Sequence, residues 1–73
     1  MIDNERYREF ADAIVLQAVS DYRQALAGNK VGGKEPELVI RECENFFHSD
    51  RYRVLTTIDG KYLIDNIREE FNN

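Results

Sequence analysis

The sequence predicts an all-α fold, a compact bundle of one long N-terminal helix plus three shorter helices, in a single domain over residues 1–73. Three observations carry that prediction. Apolar residues recur at intervals of three and four over most of the chain, the spacing of one helical face. Helix-starting residues, Ser49 and Asp59 among them, stand directly before such runs. No alternating run is long enough for a strand, and the β-prone stretch Val54 to Ile58 lies between two caps with nothing to pair with.

The first helix runs from Glu5 to Leu26. Tyr7, Phe10, Ala11, Ile14, Ala18, Tyr22, Ala25 and Leu26 form its inner stripe, with Val15 and Val19 to one side. Asp3 or Asn4 can cap its start, Glu5 favours the first turn, and Gly28-Asn29 can end it. Ala27 to Glu35 holds three of the four glycines and reads as a mobile loop. Pro36 then suits the first turn of a second helix of about three turns. Its apolar residues are Leu38, Val39, Cys43, Phe46 and Phe47, and it ends near His48.

Ser49 caps a short third helix, Asp50 to Thr57, with Tyr52, Leu55 and Ile58 at three-residue spacing. Asp59-Gly60 breaks that pattern and opens the last helix. There Leu63, Ile64, Ile67 and Phe71 face inward, and Lys61, Asp65, Arg68 and Glu69 face water.

Composition narrows the function classes. The single cysteine, Cys43, allows no intrachain disulfide, and together with the absence of a signal-peptide pattern or membrane-length apolar run it points to the cytoplasm. A net charge of −4 disfavours nucleic acid on average and suits a protein partner better. A homodimer is compatible with so small a core, because about 25 cal/mol per Å2 of apolar burial must offset an ordering cost of roughly 1.5 kcal/mol per residue. Val15, Val19 and Phe47 are the apolar positions that can supply such an interface.

The residue pattern argues against an enzyme, a cofactor or a metal site. Cys43 and His48 are five apart with no further Cys or His to complete a zinc site. His48, Ser49 and Asp50 are adjacent, whereas a catalytic triad is assembled from distant segments; Ser49 reads as a cap. Gly32-Gly33 lacks the preceding strand of a phosphate-binding loop. Arg51-Tyr52-Arg53 is the one interleaving of basic and aromatic residues, and with Lys61 it can form a patch that contacts phosphates or acidic protein surfaces. The plainer reading buries half of Tyr52 and pairs the arginines with Asp50, Glu42 or Glu44.

Phe46-Phe47-His48-Ser49-Asp50, followed by Leu55-Thr56, Asp59-Gly60 and Tyr62-Leu63-Ile64, resembles a pattern of small accessory proteins of prophages and integrative mobile elements of Gram-positive bacteria. The first helix, Ala13 to Leu26, is similar as well, and Arg51 stands where the pattern leads one to expect a large aromatic such as Trp. The resemblance implies a non-enzymatic phage or mobile-element protein, cytoplasmic in its bacterial host. It would bind a host or element protein, including inhibition of a host defence nuclease complex in the anti-CRISPR manner. Glu9 and Asp12, on an acidic surface with Glu5 and Asp21, and Arg51, Tyr52, Arg53 and Lys61 are the expected partner-binding residues. The alternative is a small nucleic-acid-associated regulator of the element, touching phosphates through Arg51, Arg53, Lys61, Lys30 and Lys34.

Overall fold

A computed structural model describes the backbone of residues 4–72 and the side chains of residues 11–72. Its described residues form four α-helices and no strand: α1 (Asn4–Leu26), α2 (Pro36–Phe47), α3 (Asp50–Leu55) and α4 (Gly60–Glu69). The helical class and the helix order expected from the sequence are both present. The expected Asp3 cap and the side chains of Glu5, Tyr7, Glu9 and Phe10 lie outside the described residues.

Local signals set most of the helix ends. Gly28, at φ +88, closes α1: its amide donates to the Ala25 carbonyl (2.9 Å), and Asn29 donates to Gln24 (3.0 Å). That double reach is a glycine-dependent helix stop. The next loop folds into a tight turn, with Val31 and Lys34 exchanging backbone hydrogen bonds of 3.2 and 3.0 Å. Gly32 and Gly33 sit at its tip with φ +56 and +80, a conformation that side chains resist. Lys30 pairs with Glu35 at 3.3 Å and Lys34 with Glu42 at 3.0 Å, which ties the loop to the N-cap and the middle of α2. Pro36 occupies the first turn of α2, where its missing N–H costs nothing.

Ser49 and Asp59 both act as N-caps, accepting from the amides of Tyr52 (3.2 Å) and Tyr62 (3.0 Å). Ser49 also donates its hydroxyl proton to the Phe46 carbonyl at 2.6 Å, so one side chain joins the last turn of α2 to the first of α3. Ser49→Ala should therefore cost about 1 kcal/mol. In a domain of this size that lowers the thermal midpoint by about 4–8 °C. Thermal denaturation followed by circular dichroism checks it; an unchanged midpoint would mean that the cap contributes nothing.

The third helix is shorter than expected and ends at Leu55 rather than Thr57. Thr56 is extended (φ −154, ψ 155), and its hydroxyl accepts from the Ile58 amide at 3.2 Å. Local side-chain bonding of this kind, in a β-branched run, competes with helix continuation. Ile58 consequently leaves the helical face and is 50% exposed.

The core joins Val15, Val19, Tyr22 and Ala25 of α1 to Val39, Cys43 and Phe47 of α2, Tyr52 of α3, and Ile64 and Ile67 of α4. Ala11, Tyr22 and Ala25 of the expected stripe of α1 are buried, and the inner face extends sideways from it. Val15 and Val19 are central, while Ile14, Ala18 and Leu26 are half-buried at its margin. Val15 and Val19 share one buried cluster with Val39, Cys43 and Phe47 of α2, and at its margin the Cys43 thiol donates to the Ala18 carbonyl at 3.7 Å. Val15, Val19 and Phe47 are thus core residues and cannot supply the dimer interface proposed for them. Leu38, expected inside, is 41% exposed, and Phe71 is 42% exposed because α4 stops at Glu69, short of it.

Candidate binding corner

The stretch from Phe46 to Gly60 makes a corner where α2, α3 and α4 meet. Four aromatic rings brace its inner side. Phe47 meets Tyr22 edge-on at 5.6 Å and Tyr52 edge-on at 5.7 Å, and Phe46 stands 5.7 Å from Tyr52. Such edge-to-face pairs favour one arrangement over sliding alternatives. Gly60, the first residue of α4, lies directly on the Phe47 carbonyl: a Cβ there would overlap the oxygen and stand 2.8 Å from the carbonyl carbon.

Beside the corner, one carboxylate links three helices. Glu44 Oε2 accepts from the Tyr22 hydroxyl at 2.6 Å and from Arg68 Nη2 and Nε at 2.6 and 3.2 Å. Burial alone would raise the Glu44 carboxyl, but the bonds from Tyr22 and Arg68 outweigh it and hold the group below its usual range. Tyr22 is driven the other way, first by burial and then by the carboxylate, so it remains a protonated donor. A second link, Arg23 to Glu70 through two bonds of 2.9 Å, fastens the end of α1 to the end of α4. Cys43 is buried, and burial pushes its thiol up to about 11, away from reactive thiolate.

Tyr52 does not face a partner in this structure: it is 1% exposed, a core residue of α3. Its neighbours do face water. Among the described residues Arg53 is held only by Asp50 at 3.4 Å, Lys61 reaches Asp65 at 3.9 Å, and Arg51 makes no ion pair. Glu42 and Glu44, the other partners considered for the arginines, are taken by Lys34 and Arg68. Asp12 is exposed on α1, and no hydrogen bond or ion pair among the described residues connects it to the corner. The site therefore divides into an α1 surface bearing Asp12 and a basic corner bearing Arg51 and Arg53.

Residues that the sequence reading left out shape the corner. His48, Thr56, Thr57 and Ile58 line a cleft of about 380 Å3 with Tyr52, Arg53 and Asp59. Three large apolar side chains in this short stretch are exposed: Val54 at 71%, Ile58 at 50% and Tyr62 at 65%. Among the described residues no group of three or more His, Cys, Asp or Glu converges, and no helix is long and apolar enough to cross a membrane.

The fold and the corner define a small helical domain with a basic, partly apolar outer edge. No protein-family model, curated protein or solved structure matches the chain.

Proposed function

We propose that this protein is a non-enzymatic binding module that acts by docking on another protein through its exposed corner. The observation that carries this reading is the outward set Arg51, Arg53, Val54, Ile58 and Tyr62, in which cationic and apolar side chains are exposed together while the core is already complete. Mixed surfaces of arginine, aromatic and aliphatic groups are the usual anchors of protein interfaces. The Glu44 carboxylate is engaged by Tyr22 and Arg68, an arrangement suited to holding helices together.

The sequence resemblance to mobile-element accessory proteins supplies the biological setting. In that setting the partner is a host or element protein, and inhibition of a defence nuclease through the acidic α1 surface is the more specific form of the proposal. The nucleic-acid alternative is weakened by the pairing of Lys30 and Lys34 with glutamates, which leaves it Arg51, Arg53 and Lys61 within a chain of net charge −4.

Affinity capture from a bacterial host lysate tests the proposal, with Arg51→Glu/Arg53→Glu and Glu9→Lys/Asp12→Lys variants in parallel. One discrete partner should be captured by the parent chain and lost with one of the two variants. Retention by both would overturn the assignment of these surfaces, and low-salt capture of nucleic acid alone would favour the regulator.

A further inference from the structure

The fourth helix is held differently from the other three. All of the core cluster except Ile64 and Ile67 belongs to α1, α2 and α3, so most of the core is complete without α4. Its far end is fastened by charge. Arg68 donates to Glu44 at 2.6 and 3.2 Å, and Glu70, just past the helix, accepts from Arg23 through two bonds of 2.9 Å. These four side chains are between 30% and 49% exposed, so water and salt compete with both pairs.

The near end of α4 joins α3 through Thr56 to Asp59. Thr56 is extended, and its hydroxyl accepts from the Ile58 amide. Among the described residues no backbone hydrogen bond ties Thr57, Ile58 or Asp59 to α1, α2 or α3. A few such residues are enough to absorb the dihedral changes of a hinge. Swinging α4 away would also strand little. Tyr22 keeps Glu44 as its acceptor, because both lie outside α4, and the Cys43 thiol keeps the Ala18 carbonyl. Arg68, 47% exposed, exchanges its carboxylate for water. Elements tied by few buried apolar side chains and by solvent-exposed bonds open at the lowest free energy in a fold.

We propose that α4 is a strap: hinged at Thr56–Asp59 and clasped by Arg68 and Glu70, it opens as one unit while α1, α2 and α3 stay folded. Opening uncovers Ile64 and Ile67, an apolar face absent from the closed surface. The exposed corner spans the hinge, with Arg51, Arg53 and Val54 on α3, Ile58 in the linker and Tyr62 on α4. A protein docked across it would hold the strap shut. Strap opening is a property of the free chain and does not depend on that docking.

Native-state hydrogen exchange of the full chain, followed by 1H–15N NMR in urea below the unfolding transition, tests this. Amides of Ile64 to Arg68 should share one level of protection, at least tenfold below that of Val19, Tyr22 and Cys43, which exchange only when the whole chain unfolds. Val15→Ala separates the two events, since Val15 lies about two turns from Arg23, where α4 is fastened to α1. That truncation weakens the closed and the open form alike, so exchange at Tyr22 and Cys43 should rise about tenfold while Ile64 to Arg68 stay unchanged. Glu70→Gln releases one clasp and should raise exchange of Ile64 to Arg68 by about twofold to fivefold. Protection of Ile64 to Arg68 equal to that of Tyr22, or a Val15→Ala effect as large in α4 as in α1, would make the four helices one cooperative unit and overturn the proposal. Protection declining steadily from Ile64 to Arg68 would be fraying of a helix end and would overturn it too. Unchanged α4 exchange in Glu70→Gln would overturn the clasp.

Discussion

Gly60→Ala should destabilise this protein by about 3 kcal/mol or more, lowering the thermal midpoint by roughly 12 °C or more. Helix propensity predicts the opposite sign. Gly60 is helical, and alanine is preferred over glycine in a helix by about 1 kcal/mol. Packing decides the matter, because the added methyl would overlap the Phe47 carbonyl oxygen, a backbone atom at the last turn of α2. That carbonyl cannot retreat cheaply: Phe47 is 1% exposed, and its ring is lodged between Tyr22 and Tyr52. Relief requires α4 to move off α2, which also opens the contacts of Ile64 and Ile67. Gly32→Ala is the comparison, since a Cβ there meets open space and only the φ of +56 opposes it, a cost of about 1–2 kcal/mol. Urea denaturation of both variants checks the pair. A Gly60→Ala midpoint equal to or above the parent would show that α2 and α4 do not approach this closely.

The contrast between Gly60 and the caps explains what the sequence could disclose. The caps at Ser49 and Asp59 and the stop at Gly28-Asn29 were legible because donor and acceptor lie within a few residues of each other. Asp59-Gly60 was legible as a break, but the requirement for no side chain at Gly60 comes from Phe47, which only the folded chain brings there. The same distinction separates the two faces of α1. Ile14 and Ala18 offer as good a periodic stripe as Val15 and Val19, and the clustering of Val15 and Val19 with Val39, Cys43 and Phe47, which only the folded chain brings together, places the second pair at the centre.

At the corner, the pattern of three alternating basic and aromatic residues drew Tyr52 outward with Arg51 and Arg53. On a helix, successive residues diverge by about 100°, as follows from ~3.6 residues per turn, so two exposed neighbours can flank a buried residue. The Tyr52–Leu55 spacing carried the better signal. Thr56 shows why the helix end was misjudged: its hydroxyl bond to the Ile58 amide replaces a further helical turn, and sequence periodicity alone does not weigh that competition.

Glu44→Ala should cost about 2 kcal/mol, more than an exposed ion pair would suggest. Arg68 contributes little to that figure, because its side chain is 47% exposed and water can replace the carboxylate. Tyr22 decides the magnitude. It is 0% exposed, and its 2.6 Å bond to Glu44 is the one found for its hydroxyl, so truncation leaves a buried donor without an acceptor. Glu44→Gln keeps an acceptor for Tyr22 and loses only the charge, so it should cost less, and Tyr22→Phe combined with Glu44→Ala should cost less than the sum of the two single changes. The sign of the pH effect follows from the depressed carboxyl. Folding favours the ionised form of Glu44, so its contribution is complete above the unfolded carboxyl value of about 4.3 and is lost as pH falls through the lower folded value. Glu70, lowered by its bonds from Arg23, adds an acid-sensitive term of the same sign, which Glu44→Gln leaves in place. Urea midpoints at pH 7, 4.5 and 3 should therefore fall for both proteins, and less steeply for Glu44→Gln. Parallel acid profiles would mean that Glu44 has the same proton affinity folded and unfolded, contrary to a carboxylate held by Tyr22 and Arg68.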